Sequence, residues 1–347
     1  MPAIAPGPLP LDAPLPLDRL GRPLHDLRLS VIDRCNFRCP YCMPAGAPLP
    51  DTDSRGRLSR AEIVRLVQAF VRLGATRVRL TGGEPLLRRD LPRIVSAVAA
   101  IDGIADLALT TNGQLLSRQA GALRRAGLGR LSVSLDALDP AVFARMSGSR
   151  GSVHEVLAGI DAAADAGFAP IKINCVVQRG VNEDQALPLV AHFRNSGHVV
   201  RFIEYMDVGS CNGWRREQVV PAAELRERIH ARYGLLPLSA RHRGEVARRY
   251  ALADGSGEVG FITAISEPFC GDCSRARVSA AGELFTCLFA TRGTPLRHLL
   301  AHDAQYASLC TAIAGHWHAR ADRYSEQRAA GDRRAIAARV EMYRIGG

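Results

Sequence analysis

The chain has 347 residues, of which 47% are hydrophobic, so it is long enough to bury a sizeable core. Its formal net charge of +11 at pH 7 favours an anionic partner, which could be nucleic acid, an anionic lipid surface or a phosphorylated small molecule. Aromatic residues make up only 5% and the arginines are scattered, which argues against a stacking surface for single-stranded nucleic acid.

The first 23 residues carry seven of the 20 prolines of the chain. Proline interrupts every apolar run there, which excludes a signal peptide or a membrane span, and we expect residues 1–23 to form a flexible tail. No other stretch reaches the roughly 18 apolar residues of a transmembrane helix, so the sequence predicts a cytoplasmic protein with no membrane partner. In that compartment the nine cysteines are expected to be metal ligands or buried thiols rather than disulfides.

Strand-like and helical patterns alternate after this tail. The strand-like runs cover residues 27–33, 77–81, 106–111, 130–136, 171–177 and 199–206, and helical apolar spacing covers 61–73, 91–100, 115–126, 153–166 and 183–196. A strand followed by a helix, repeated about six times, predicts a parallel sheet with right-handed crossovers.

Polar and apolar residues alternate within these strands. One parity is largely polar and comprises Arg28, Ser30, Arg77, Arg79, Thr81, Thr110, Asn112, Ser132, Ser134, Asp136, Lys172, Asn174, Glu204 and Met206. A sheet covered by helices on both faces would have continuously apolar strands, whereas outer helices around a wet, charged inside are typical of a barrel that encloses a ligand. We therefore predict an α/β fold, a partial, open TIM-type barrel of about six βα units.

The regular alternation stops near residue 210. We predict a polar connection over 241–257, short strands and turns over 259–289, a helix over 294–319, and a charged segment over 320–338 that is either an exposed helix or mobile. The predicted organisation is thus a tail over 1–23, a barrel over 24–210 and a smaller C-terminal part over 211–347.

A first cysteine triad, Cys35, Cys39 and Cys42, directly follows the first predicted strand. Three thiolates at this spacing can hold three irons of a cubane cluster and leave the fourth iron open to a small chelating molecule. A zinc site completed by a ligand from elsewhere in the chain is the alternative.

The segment Thr81-Gly-Gly-Glu-Pro85 follows the second predicted strand, where its glycines allow close backbone approach and Glu84 could meet an ammonium group. With the segment Cys-Asn-Phe-Arg-Cys-Pro-Tyr-Cys before it, this loop resembles the radical S-adenosylmethionine superfamily. The resemblance implies that the first triad holds a 4Fe-4S cluster, whose open iron binds the amino and carboxylate groups of S-adenosylmethionine.

A second cysteine triad comprises Cys270, Cys273 and Cys287, with Arg275-Ala276-Arg277 between its last two members. A zinc ribbon completed by Cys211 or Cys310 would suit this spacing, whereas the open iron of a second cluster would face the substrate. Cys175 has the apolar parity of its strand and is expected to be a buried thiol.

The second triad with its arginine pair resembles the GTP 3',8-cyclase family, radical enzymes that begin molybdenum cofactor biosynthesis, over nearly all the chain from Arg28 to Gly347. The resemblance implies two 4Fe-4S clusters and S-adenosylmethionine as cofactors, GTP as substrate, and a double-glycine tail that enters the active site. The implied GTP contacts are Arg28, Arg79, Thr110, Lys172, Arg275, Ala276 and Arg277, and the implied S-adenosylmethionine contacts are Tyr41, Gly83, Ser134 and Met206. Of these, Lys172, Arg275 and Arg277 are the predicted catalytic residues.

The residues themselves agree with this resemblance. Of 45 cationic residues only Lys172 is a lysine, and it shares the predicted interior parity with Arg28 and Arg79, where cations could grip a triphosphate. No GxxxxGK[ST] segment exists, so the nucleotide site is not a P-loop. The resemblance further implies a 5'-deoxyadenosyl radical that removes the hydrogen at C3' of GTP, so that C3' bonds to C8 of guanine.

Two other functions stay open at the level of sequence. One is a peptide-modifying radical enzyme with an auxiliary cluster, which has no need for a charged interior, and the other is a basic zinc-ribbon protein that binds nucleic acid. The preferred hypothesis excludes nucleic acid as a partner. It predicts GTP, an electron donor of unknown identity and, within the pathway, cyclic pyranopterin monophosphate synthase as partners of a monomer or homodimer.

Overall fold

The computed structural model describes residues 15–46, 56–242, 244–301, 306–329 and 339–346. The strands and helices along the chain are β1 (Asp26–Ser30), α1 (Arg60–Arg72), β2 (Arg77–Thr81), α2 (Leu91–Ala99), β3 (Asp106–Thr111), α3 (Ala120–Arg125), β4 (Arg130–Ser134), α4 (Pro140–Ser147), α5 (Val153–Asp165), β5 (Lys172–Val177), α6 (Ala186–Phe193), β6 (Val199–Glu204), α7 (Ala222–Tyr233), β7 (Leu235–Leu238), β8 (Arg248–Leu252), β9 (Glu258–Ile262), β10 (Arg275–Val278), β11 (Glu283–Phe285), β12 (Thr294–Pro295), α8 (Tyr306–Ala319), α9 (Tyr324–Ala329) and α10 (Met342–Ile345).

The strands of the described residues form one sheet in the order β12-β11-β10-β1-β2-β3-β4-β5-β6-β9-β8-β7. The strands from β1 to β6 pair in parallel in chain order, and β10 and β9 extend the parallel part on its two sides. The outermost strands, β12 and β7, belong to antiparallel pairs and do not pair with each other, so the barrel stays open. The predicted α/β, partial open barrel is confirmed.

The apolar core lies between the strands and the helices that cover their outer face. Leu27, Leu29 and Leu80 of the strands are fully buried, as are Ile63 and Phe70 of α1, and all five belong to one continuous cluster. Because helices occupy this face, the polar parity of the strands is left to line the inside. No helix in the described part of the chain is long and apolar enough to cross a bilayer.

The part after residue 210 is more regular than the sequence predicts. The polar connection predicted over 241–257 is wrong at β8, which pairs antiparallel with β9. Its Arg249 donates to Glu258 at 2.7 Å, and such cross-strand ion pairs allow a charged segment to join a sheet near its edge. The helix predicted over 294–319 is wrong before α8, because β12 occupies its start. In the segment 320–338, residues 324–329 form α9, and 330–338 lie outside the described residues.

The last part of the predicted flexible tail packs against the C-terminal part of the chain. Asp18 and Arg22 are only 6% and 1% exposed, and the amide of Arg19 donates to the carbonyl of Arg320 at 3.1 Å. The proline content of this segment does not reveal the contact, because one buried ion pair has no compositional signature. Residues 1–14 lie outside the described residues, and the division into three parts stays a prediction.

Candidate active site

One cavity on the inner face of the barrel brings most of the predicted site residues together. It is lined by Cys35, Cys39, Cys42, Cys270, Cys273, Cys287, Arg28, Tyr41, Arg79, Gly83, Thr110, Ser134, Met206, Arg275 and Arg277. Ala276 does not line it, since its side chain is fully buried in the outer core. Lys172 is buried next to the lining and interacts electrostatically with Arg79 and Arg201.

The two cysteine triads lie at opposite ends of this cavity. The first triad follows the C-terminal end of β1, whereas Cys273 stands two residues before the start of β10. Because β10 runs parallel to β1, with Arg275 opposite Asp26, Cys273 lies at the N-terminal edge of the sheet. The five-residue strand β1 lies between these two edges of the sheet, and its first and last Cα atoms are roughly 13 Å apart.

The first triad occupies a tight, half-buried turn. The amides of Cys42 and Met43 both donate to the carbonyl of Cys39, at 3.0 and 2.9 Å, and the amide of Phe37 donates to Sγ of Cys35 at 3.4 Å. Burial raises the pKa of Cys35 to about 11, so the free thiol keeps its proton until a cation replaces it. Among the described residues no three His, Cys, Asp or Glu side chains are arranged around one metal ion, whereas a cubane uses one thiolate per iron. Half-buried thiols, one of which already accepts an N–H donor on its sulfur, fit such a cluster.

Tyr41 of this turn is held by the carboxylate of Asp136, at the end of the fourth strand. The hydroxyl of Tyr41 donates to Oδ2 of Asp136 at 2.7 Å, and Oδ1 accepts the amide of Val176 at 2.8 Å. Burial raises the pKa of Asp136 to about 6, although both hydrogen bonds act in the opposite direction. The phenol is therefore oriented next to the cysteines without any ligand.

The glycine loop after β2 runs directly along the loop after β1. A Cβ on Gly82, whose φ is +153°, would overlap the carbonyl oxygen of Ile32, and a Cβ on Gly83 would overlap that of Arg34. Both glycines are thus required by backbone approach. Glu84 accepts hydrogen bonds from the amides of Leu86 and Asn112 and from the hydroxyl of Thr111. Burial raises the pKa of Glu84 to about 7.

Three arginines form a row across the middle of the cavity, where Arg277 is buried and Arg28 and Arg79 are half-buried. Arg28 lies opposite Arg277 on β10 and opposite Arg79 on β2, and Arg79 donates to the hydroxyls of Thr110 and Ser132, both at 3.1 Å. Burial, and then repulsion from neighbouring guanidiniums, lowers the pKa of Arg28 to about 9 and also lowers that of Arg277. An anion in this row relieves both penalties, so it is suited to a polyanion.

The second triad lies among cations. Nη2 of Arg275 donates to Sγ of Cys273 at 3.4 Å, and its guanidinium lies 5.3 Å from the ring centroid of Phe269. Burial alone would raise the pKa of Cys273, but Arg275 and Arg320 outweigh it and lower the pKa to about 6. This thiol is therefore prepared as a thiolate ligand.

The C-terminal segment returns to the cavity. Nη1 of Arg277 donates to the carbonyl of Gly346, and a Cβ on Gly346 would overlap the side chain of Thr81. The segment is fixed by Asp207, which accepts hydrogen bonds from Tyr324, Arg328 and Arg339. The geometry agrees with the predicted entry of the tail as far as Gly346, and Gly347 lies outside the described residues.

The chain matches two family models, the Radical SAM superfamily over residues 29–192 and Molybdenum Cofactor Synthesis C over 198–326. A curated protein of Xanthomonas campestris pv. campestris (strain 8004) named GTP 3',8-cyclase is 62% identical and aligns over 95% of this chain and 97% of its own length. This chain belongs to the GTP 3',8-cyclase family. A relative of the same name from Acidothermus cellulolyticus is 53% identical, over 90% of this chain and 88% of its own.

The fold has a counterpart among solved structures. SuiB of Streptococcus suis, crystallised with S-adenosylmethionine, superposes with a TM-score of 0.56 at 16% identity, over 83% of this chain and 68% of SuiB. At that identity the similarity concerns the fold alone, and it agrees with the open barrel of the present chain.

The strand β6 has the opposite parity to the one predicted. Arg201 and Ile203 line the cavity, so the assignment of Glu204 to the interior is wrong. The carboxylate of Glu204 instead accepts hydrogen bonds from the amides of Ala222, Ile265 and Ser266. Both faces of β6 carry apolar residues, so the sequence does not show which face points into the cavity. The register with β5, in which Asn174 lies opposite Arg201, determines it. A single arginine in an apolar strand was the available signal for Arg201.

Gly148 supports the first triad from outside the cavity, which gives a test. Its φ is +70°, and a Cβ there would overlap the carbonyl of Arg38, between Cys35 and Cys39. We expect Gly148→Ala to displace this turn and to lower the iron retained by the first triad after gel filtration. Gly255→Ala is the matched control, because Gly255 has a φ of +75° and no atom within 4 Å of its Cβ position. Equal iron retention in the two variants would contradict the proposed contact.

Proposed function

We propose that this chain converts GTP to (8S)-3',8-cyclo-7,8-dihydroguanosine 5'-triphosphate, the first step of molybdenum cofactor biosynthesis. The observation that carries the proposal is one cavity with a cysteine triad at each end and a row of arginines between them. The sequence relatives named GTP 3',8-cyclase support the same reaction.

The first triad would hold the 4Fe-4S cluster that, with S-adenosylmethionine, supplies a 5'-deoxyadenosyl radical. The residues that we assign to S-adenosylmethionine line the same end of the cavity and are Tyr41, Gly83, Ser134 and Met206. Tyr41 is held by Asp136, and Gly83 is fixed against the loop after β1, where its amide donates to the carbonyl of Ile32 at 2.7 Å. An external donor must supply the electron, and its identity is not part of the proposal.

The second triad, Cys270, Cys273 and Cys287, would hold a second 4Fe-4S cluster that faces the guanine. The strand length between the two triads, roughly 13 Å, leaves room for the ribose between the base and the radical source. We therefore place the guanine at the N-terminal edge of the sheet and C3' of the ribose toward the first triad.

The triphosphate would lie along the cations of the inner face. Arg28, Arg79 and Arg277 share one row of the sheet. Lys172 on β5 lies outside that register row but interacts electrostatically with Arg79 and with Arg201 on β6. Thr110 contributes a hydroxyl beside Arg79, and Arg275 lies between the second triad and this row. Ala276 can contact the nucleotide only through its main chain, since its side chain faces the outer core.

Anaerobic reconstitution of the full chain tests the proposed function. We expect about eight irons per chain, and release of 5'-deoxyadenosine with S-adenosylmethionine and a reductant that depends on GTP and not on ATP. Cys270→Ala should lose about half of the iron and the GTP-dependent release, while Cys310→Ala, a buried thiol outside both triads, should keep both. Zinc in place of iron, or equal release with ATP, would overturn the proposal.

Lys172 gives a prediction on pH. Burial, followed by repulsion from Arg201, Arg130 and Arg79, lowers its pKa to about 7 in the free chain. A bound triphosphate favours the ammonium, so the complex binds more protons than the free chain, and affinity for GTP falls as pH rises above 7. Near pH 8, calorimetry in two buffers should show uptake of roughly one proton per GTP, and Lys172→Arg should abolish it. Identical proton uptake by the variant would exclude Lys172 as its source.

Gly346 gives a prediction on the tail. Its φ is +66° and its Cβ position overlaps Thr81, so Gly346→Ala should withdraw the tail from Arg277 and lower the rate of GTP conversion. Gly180→Ala, with a φ of +75° and no atom near its Cβ position, controls for backbone strain alone. If both variants convert GTP at the rate of the unmodified chain, the tail has no part in the reaction.

A further inference from the structure

A buried charge network lies behind the second triad and is not part of the cavity. Oδ2 of Asp18 accepts Nε of Arg22 at 2.6 Å and Nη1 of Arg320 at 3.1 Å, and Oδ1 accepts the amides of Leu20 and Arg22, both at 2.9 Å. Asp18, Arg22 and Arg320 are 6%, 1% and 4% exposed. One carboxylate thus fixes two guanidiniums away from solvent.

The two guanidiniums reach the backbone of every segment of the second triad. Nη1 of Arg22 donates to the carbonyl of Cys270 at 2.7 Å. Nη1 of Arg320 donates to the carbonyl of Cys273 at 2.7 Å, and its Nε donates to the carbonyl of Thr286, next to Cys287, at 3.0 Å. These contacts join chain segments that come from the N-terminal tail, from the turn before β10 and from the end of β11.

We propose that Asp18, Arg22 and Arg320 form a positioning unit, which holds the three cysteines of the second triad at the spacing of their cluster through hydrogen bonds to the main chain. The inference rests on the proposed function, because it assumes a second cluster. It assigns to residues 15–23 a part in the active site, although none of the three residues touches the cavity.

The energetics argue against a purely structural role for this network. Nε of Arg320 also lies 3.6 Å from Oδ2 of Asp322, so two carboxylates balance the two guanidiniums, and apolar residues of similar volume would stabilise a fold at least as well as these buried ion pairs. The guanidinium of Arg320 lies 4.5 Å from the ring centroid of Trp317, and Nε1 of Trp317 donates to the carbonyl of Arg22 at 3.0 Å. Both contacts further restrict the two arginines.

The hydrogen bonds made by Arg320 require an arginine at this position. Its fork donates to two carbonyls and one carboxylate at once, in different directions. A lysine keeps the charge but cannot keep this geometry. Arg320→Lys therefore separates positioning from charge, whereas Asp18→Asn releases both guanidiniums at nearly constant volume.

The test measures iron release from the reconstituted full-length chain to a chelator without oxygen. Cysteines freed by cluster loss are alkylated during the reaction and located by mass spectrometry, so that each triad is followed separately. We expect roughly tenfold faster loss at Cys270, Cys273 and Cys287 in Asp18→Asn and in Arg320→Lys, with unchanged loss at Cys35, Cys39 and Cys42. The first triad serves as the internal control, and Glu224→Gln, at an exposed pair with Arg179, controls for removal of a carboxylate.

The outcomes separate the inference from the proposed function. Unchanged loss at the second triad in both variants, or equal acceleration at both triads, would overturn the positioning unit while leaving the proposed function intact. Immediate alkylation of the second triad in the unmodified chain would show that this triad holds no cluster. That result would overturn both the second cluster of the proposed function and the inference. If Asp18→Asn does not fold, Arg320→Lys alone decides, since it keeps charge and most of the volume.

Discussion

The parallel pairing of β10 with β1 is the contact on which the active site depends. It joins a strand near residue 275 to the first strand of the barrel, with Arg275 opposite Asp26 and Arg277 opposite Arg28. Without this pairing the second triad would have no fixed relation to the first, and the arginine row would lose one of its three members. Since such long-range contacts are costly to close, the helices and hairpins that flank the two strands must stabilise them.

Buried cations dominate the chemistry of the inner face. Each guanidinium there loses hydration and repels its neighbours, and both effects lower the pKa of Arg28, Arg79 and Arg201. The cost would fall when a polyanion binds, so part of the binding free energy of the proposed triphosphate would come from relief of this electrostatic repulsion. The apolar outer core bears the stability of the barrel, which allows the inner face to be arranged for binding.

Local patterns made much of this predictable. Alternation in β1 to β5 gave both the open barrel and the polar face, because each of these strands has one polar side. The same method failed in β6, which has no polar side, and at β8, where arginines paired with glutamate resemble a loop. The network of Asp18 could not be predicted, since its partners Arg22 and Arg320 meet only through the tertiary fold, and composition made the tail look disordered.

The two triads differ in the charges around them, and this difference fits two roles. Carboxyl groups of Glu84, Asp136 and Glu341 act on the thiols of the first triad and raise their pKa in addition to burial. The second triad faces Arg275 and Arg320, which stabilise negative charge on Cys273. Added negative charge is therefore disfavoured at the first site, as suits a cluster that must give up an electron readily. At the second site the surroundings are mixed, because Arg275 and Arg320 favour a thiolate at Cys273 whereas burial and Asp322 raise the pKa of Cys287 to about 12, so Cys273 is the member of this triad that its neighbours best prepare as a ligand of the proposed second cluster.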